Sequence, residues 1–265
     1  MRARVLLFVV LLLQLAPGAL PVAAAPAPVI RENLEYQISL GPWSNVARAH
    51  IVLKELEPGY YLGEFSVAAQ GMWKLLSRWL PEGYQTEMVH REGKLQPLVY
   101  REEFQEKGQH VLKEYRFDYD HSLLTRWRQI DGGEKVKEWE VPLKGPIYDL
   151  LSLLFNLRLG ALGPMPAGAT VRVMVLPTLE PEELVFRIGA VTDQGFKVMA
   201  HFCEAGVEEE VGYFMFFNPD RVVLTWTRPT LLGDLSSRLL NPGEIWKEGL
   251  LALPSSSAPV PKAQP

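Results

Sequence analysis

Cysteine is nearly missing from this chain. Its 265 residues contain one, Cys203, which excludes an internal disulfide and any small scaffold stapled by disulfides. No cysteine stands near the N-terminus to carry a lipid anchor. Nucleophile and phosphate signatures are missing as well: no serine sits in a G-x-S-x-G elbow, and no glycine-rich phosphate loop precedes a helix. Positive charge is not in excess. Lys and Arg number 27 against 31 Asp and Glu, a net charge of −4, so no basic face for nucleic acid is expected. The five histidines, His50, His90, His110, His121 and His201, are scattered. His201 and Cys203 share a strand face, but a metal site needs three or four ligands and no second His/Cys pair is present. No metal and no cofactor are expected.

Long apolar runs are also scarce, and the one present comes first. Arg2 and Arg4 precede the apolar stretch Val5 to Ala16, and Val22-Ala23-Ala24 supplies small residues. The run is short for a membrane span and reads as a signal peptide over residues 1–24, cleaved before Ala25. The alternative is an uncleaved N-terminal anchor. The expected location is periplasmic or secreted. Stability must then come from a hydrophobic core, and the chain is long enough to build one.

Most of the remaining sequence alternates. Tyr36, Ile38 and Leu40 interleave with Glu35, Gln37 and Ser39, as in a half-buried strand. Strands are predicted from about Leu34, Val46, Tyr61, Tyr84, Leu95, His110, Leu123 and Lys135. Further strands are predicted over Ala169–Leu176, Glu183–Val191, Phe196–Glu204, Glu209–Phe217 and Arg221–Thr227. Turn residues such as Pro58-Gly59, Asp131-Gly132-Gly133 and Asn218-Pro219-Asp220 separate them. The connections are too short for crossovers, so neighbours should pair antiparallel. Residues 25–32 read as an extended segment, 33–243 as a single β-rich domain, and 254–265, rich in Pro, Ser and Ala, as a disordered tail. A short terminal helix is predicted over Leu231–Leu240.

One segment has a different period. From Gly145 to Gly160 nearly every residue is apolar, and only Asp149, Ser152 and Asn156 form a narrow polar stripe at helical spacing. A helix over Pro146–Leu159 is predicted, with Gly160 in the left-handed conformation that ends it. It must be enclosed on most sides, so Leu154→Asp is expected to unfold the chain. A second short helix, Gly71 to Leu80, carries Trp73 and Trp79 beside Lys74 and Arg78, a composition suited to a lid or an interface with lipid.

The residues that could touch a ligand follow from these patterns. Tyr115, Trp127, Tyr213 and Trp226 lie on strands whose aromatic faces are expected to converge, and curved antiparallel sheets commonly enclose apolar ligands. Trp73 and Trp79 would close such a groove, and Lys74 and Arg78 would give it a cationic rim. Asp149 and Asn156 either line the site or bond to backbone groups. Asp118 and Asp120 are the carboxylates that a sugar hydrolase would use; the simpler reading is a solvated strand end.

The opening strand Leu34-Glu35-Tyr36-Gln37-Ile38-Ser39-Leu40-Gly41, the hairpin residues Tyr115-Arg116-Phe117-Asp118, and the stretch Tyr148 to Arg158 stand in one order. The last resembles the D-x-L-S-x-L-x-x-L-R segment of the bacterial exported family called domain of unknown function 3108. The resemblance covers roughly Asn33 to Arg228. Leu150 stands where the pattern has Pro, and Asn156 where it has an aromatic. The resemblance implies an exported β-rich fold and brings no catalytic residues. A mainly β protein follows, with a strongly curved antiparallel sheet or open β-barrel-like fold wrapped around one apolar helix. The functional expectation is a non-enzymatic envelope protein that binds a lipid acyl chain, another apolar molecule or an envelope partner protein, with peripheral membrane contact. The alternative is a hydrolase acting on an envelope carbohydrate or lipid through carboxylates.

Overall fold

The computed structural model describes residues 27–73, 83–176, 181–204, 207–208 and 212–241. Eight strands come first: β1 (Val29–Leu40), β2 (Trp43–Glu57), β3 (Tyr60–Ala69), β4 (Gly83–Arg91), β5 (Lys94–Glu106), β6 (Gln109–Asp118), β7 (Leu123–Ile130) and β8 (Val136–Pro142). A three-residue strand β9 (Ile147–Asp149) leads directly into the helix α1 (Leu150–Leu159). Then follow β10 (Thr170–Leu176), β11 (Glu182–Thr192), β12 (Gly195–Glu204), β13 (Val207–Glu208), β14 (Tyr213–Phe217), β15 (Val223–Arg228) and β16 (Leu235–Asn241).

All these strands belong to one sheet. Its order is β8-β7-β6-β5-β4-β3-β2-β1-β16-β15-β14-β12-β11-β10-β9, with β13 paired to β12 off this path. Every step is antiparallel except β9–β10, which is parallel. The two strand groups of the sequence are therefore joined, and the joint is β16, which pairs with β1 on one side and β15 on the other. This corrects the terminal helix expected over Leu231–Leu240. Leu-Ser-Ser-Arg-Leu-Leu has no strong strand signature, but the open edges of β1 and β15 offer it two ladders of hydrogen bonds.

The sheet is open and strongly curved. Its two ends, β8 and β9, are not paired with each other. Instead Ile147 and Leu176, from the β9–β10 end, pack with Tyr100, Tyr115, Phe117 and Leu124 of β5 to β7 and with Leu143, which follows β8. The helix meets both halves. Leu151, Phe155 and Leu159 join Leu53, Tyr61, Met88 and Leu95 of β2 to β5. Leu153 and Leu157 join Val175, Leu184, Phe186, Val198 and Phe217 of β10 to β14. Room for the first contact is made at Gly63 in β3, where an added Cβ would stand 2.8 Å from Phe155 Cε2.

The helix begins four residues later than its composition suggests. Ile147–Asp149 is held as a strand by Met174–Leu176, and Asp149 then caps the helix. Gly160 ends it as expected, at φ 75°, with the Ala161 N–H donating to the Asn156 carbonyl at 2.9 Å, as in a Schellman turn. Of the predicted helix Gly71 to Leu80, only Gly71, Met72 and Trp73 lie among the described residues.

Candidate ligand-binding site

The polar stripe of α1 is consumed in fixing the helix. Asp149 is fully buried. Its carboxylate accepts hydrogen bonds from the backbone N–H of Leu151 at 2.9 Å and Ser152 at 3.0 Å, and from the Thr86 hydroxyl of β4 at 2.8 Å. Burial pushes this carboxyl above its ordinary range, against those hydrogen bonds. Asn156, also fully buried, works as a clamp on β5. Its Oδ1 accepts from the Leu95 N–H at 3.0 Å and its Nδ2 donates to the Leu95 carbonyl at 2.7 Å. One side chain thus satisfies both backbone groups of a buried strand residue. Asn156→Leu should strand both and cost at least about 2 kcal/mol; thermal or urea unfolding measures it. Arg158 ties the other end down, reaching Glu32 of β1 at 3.3 Å and the Asp220 carbonyl before β15.

With one side of α1 clamped to β4 and β5, the other side faces the C-terminal strands and does not fill the space. A cavity of about 520 Å³ lies between them. Leu150, Leu153, Leu154 and Leu157 form its helical wall; the strands supply Leu184, Phe186, Phe202, Met215, Phe217 and Val223. Leu154, expected in the core, is half-buried and lines this space. The polar lining groups are Glu182, Tyr213 and Arg228. Each sits at the same end of the sheet: Glu182 opens β11, Tyr213 opens β14, and Arg228 ends the antiparallel β15. The helix starts at this end too, because β9 runs antiparallel to β11 and delivers Leu150 beside it. The cavity therefore has a polar end and an apolar end. At the polar end, the Arg228 guanidinium donates to the Tyr213 hydroxyl at 2.5 Å and lies over its ring, 4.7 Å from the centroid.

The N-terminal half carries a row of aromatic rings outside the cavity lining. Phe65, Tyr84, Tyr100, Tyr115 and Trp139 form a ladder of ring contacts from β3 to β8, with centroids 5.5 to 6.1 Å apart. Beside it Glu102 is buried, opposite Tyr84 on one neighbour and Lys113 on the other. Burial raises its carboxyl to about 7, while Lys113, the Tyr100 hydroxyl and Arg126 work against that rise. Tyr84 is pushed up to about 12 by burial, by Glu102 and by Tyr213. Tyr213 is thus near enough to Tyr84 to act on it electrostatically.

The fold sorts the predicted site residues unevenly. Tyr213 lines the cavity, and Trp226 packs beside it at 6.4 Å. Tyr115 is buried in the ladder. Trp127 stands on the opposite face from Tyr115: it is in register with Glu114, and Arg126 is the partner of Tyr115. There its indole N–H meets Thr125 and Arg116 lies above its ring. Trp73 packs edge-on against Trp43, centroids 5.6 Å apart, at the strand ends level with Leu40, Leu235 and Arg228. Lys74, Arg78 and Trp79 lie outside the described residues. Asp118 is spent on its own turn, accepting from the His121 N–H at 2.9 Å and contacting its ring at 2.8 Å. His201 and Cys203 are buried, and no cluster of three metal-ligating side chains occurs among the described residues.

A family described as "Protein of unknown function (DUF3108)" matches residues 35–190, well over half of the chain. The chain belongs to this family. The DUF3108 match begins in β1 and ends in β11, so it takes in the N-terminal strands, α1 and the Asp149-to-Arg158 segment. Strands β12 to β15, which supply Phe202, Tyr213, Phe217 and Arg228 to the cavity, lie beyond it. No curated protein matches the chain. Among solved structures, it is similar to a beta-barrel-like protein of domain of unknown function DUF1849 from Brucella abortus. The two are 8% identical, the alignment covers 81% of this chain and 98% of that one, and the TM-score is 0.48.

Sequence reasoning missed Arg228 and Glu182 as site residues. Each closes or opens a strand and has no motif around it. Only the register of β11, β14 and β15 brings them to one end. Glu102 was missed for the same reason: the three carboxylates Glu102, Glu103 and Glu106 of β5 look alike until the sheet curls and buries one.

Proposed function

We propose that this DUF3108 chain is an exported, non-enzymatic protein of the cell envelope whose sheet wraps around α1 and receives one apolar chain, such as a lipid acyl chain, between α1 and β11–β15. The observation that carries this reading is the cavity of about 520 Å³ with its leucine and phenylalanine lining. That volume falls in the range of small-molecule sites, about 300–1,000 Å³. Each methylene moved from water into it would gain about 0.8 kcal/mol. Export rests on the basic and apolar N-terminal residues. Trp73 stands at the polar end, where it packs against Trp43.

Leu154→Trp tests the reading. Its side chain is half-buried on the cavity wall, so a larger one fills the slot with little change to the core. The variant should melt close to the wild type but lose most uptake of a fluorescent fatty acid, and native mass spectrometry of protein isolated from the periplasm should show co-purified lipid only in the wild type. A wild-type protein that carries no lipid and takes up no fatty acid overturns the proposal.

The hydrolase alternative has one observation in its favour, the raised carboxyl of Glu102, because perturbed carboxyls cluster at catalytic sites. Asp149, the carboxylate that acts on it electrostatically, is already occupied by Thr86 and the helix N-terminus. The binding reading is therefore preferred.

A further inference from the structure

We infer that one end of this protein is a membrane-docking tip, built from the β1–β2 turn, the start of the β3–β4 connection and the β15–β16 turn, which sets Trp43, Met72, Leu231 and Leu232 into the surface of a lipid bilayer. The inference goes beyond the binding reading above and stands on residues outside the cavity lining.

The three segments are tied together at one level of the sheet. The Gly41 N–H donates to the Asp234 carbonyl at 2.9 Å, and the Gln70 N–H to the Val46 carbonyl at 2.8 Å. A Cβ at Gly41 would stand 2.5 Å from the Leu232 carbonyl oxygen, so the β1–β2 and β15–β16 turns touch through their backbones. Trp43 then meets Trp73, ring centroids 5.6 Å apart. These contacts fix the loop backbones and leave large apolar side chains in water. Leu231 is fully exposed, Met72 is 71% exposed, Leu232 63% and Trp43 46%.

The β15–β16 turn has no structural need of leucine. Main-chain bonds between Thr230 and Gly233, at 3.2 and 3.1 Å, hold it, and the Thr230 hydroxyl donates to the Gly233 carbonyl at 2.5 Å. Such positions ordinarily take Asn, Asp, Ser or Gly. Two leucines there, beside exposed Trp43 and Met72, form the kind of contiguous apolar patch that marks an interaction surface. Charge selects a bilayer as the partner: among residues 40–45, 69–73 and 229–234 only Asp234 is charged, so few ions are desolvated on insertion. Shape selects it too. The four side chains cap strand ends, and a protein partner would need a pocket for each, whereas the boundary between head groups and acyl chains accepts Trp, Met and Leu without one. The location fits as well. β15 ends at the cavity-lining Arg228 and Pro229 begins the turn, so docking presents the polar end of the cavity to the bilayer.

The test floats protein isolated from the periplasm with vesicles of phosphatidylcholine alone, or of phosphatidylcholine and phosphatidylglycerol at about three to one. The wild type should bind both about equally, and raising the salt to about 0.5 M should change little, because the contact is apolar. The double variant Leu231→Ser, Leu232→Ser should melt as the wild type does and bind either vesicle about tenfold more weakly. Trp43→Ser, on a different turn, should weaken binding in the same direction. Uptake of the fluorescent fatty acid from solution should stay at the wild-type level in the leucine variant; losing it together with vesicle binding would mean a shared structural defect and would overturn the tip. A wild type that binds no vesicle, binding confined to the anionic vesicles, or binding that survives either change also overturns it, and the cavity reading is left standing. So does a wild type that self-associates in sedimentation velocity while the leucine variant stays monomeric, which would make the tip an interface between copies of the chain.

Discussion

Phe155→Ala is expected to cost about 3–5 kcal/mol, a large share of the roughly 5–15 kcal/mol that holds a typical protein together. Phe155 is 1% exposed. It packs with Leu53, Tyr61, Met88 and Leu95, contributed by four successive strands, and its ring presses on the bare backbone of Gly63. Thr86 and Met88 also border Gly63, but Gly63 itself has no side chain to move into the space the ring would leave, so a cavity is expected to persist. Denaturant unfolding should show a clear drop in midpoint. The matched change at Leu154, which is half-buried on the open cavity, should cost much less. Equal losses at the two positions would mean that α1 does not have the one clamped side and the one open side described above.

Stability should also depend on pH through two buried carboxyls of opposite sign. Folding raises Glu102 from 4.5 to about 7. The folded chain then holds this proton where the unfolded chain has lost it. The contribution is complete below 4.5 and disappears as pH rises through about 7, amounting to about 3 kcal/mol at most. Glu102→Gln keeps the neutral shape and should abolish this decline, so the variant should be close to the wild type at pH 4 and more stable at pH 8. Glu114 behaves in reverse. Burial pushes its carboxyl up, but Lys135 at 3.0 Å, Arg116 at 2.8 Å and Arg101 at 2.9 Å override that and hold it at about 2. Its stabilisation is complete above 4.5 and is lost as pH falls through about 2. Glu114→Gln should therefore destabilise at pH 7, and the difference from the wild type should shrink as the pH approaches 2. Melting curves of the two variants from pH 2 to 9 measure both. Parallel curves for Glu102→Gln and the wild type would mean that Glu102 is solvated rather than buried.

Where the sequence and the fold part company, the cause is traceable to single residues. Asp149 read as part of the polar stripe of a helix starting at Pro146. It is the cap of a helix starting at Leu150, because β10 pairs with the three residues before it. Asn156 carries no local sign that its amide will meet Leu95, sixty-one positions earlier. Tyr115 and Trp127 both look like aromatic strand residues, yet the register of β6 and β7 puts them on opposite faces. A shift of one residue in that register would have put them on the same face.

The sequence alone determined the family, the antiparallel β character, the strand limits to within a few residues, and the helix that sits among them. These follow from local order: the period of apolar residues, the turn residues between them, and the D-x-L-S-x-L-x-x-L-R segment all lie within a few positions of one another. Only the tertiary structure decided that the two strand groups form one sheet, because β16 fills the gap between β1 and β15, strands that stand at opposite ends of the folded sequence. The same holds for the cavity. Its lining comes from α1, β11, β12, β14 and β15, and its polar end exists because antiparallel pairing brings the start of one strand beside the end of the next. No local pattern carries that information, since pairing energy depends on partners that the chain meets only after it has folded.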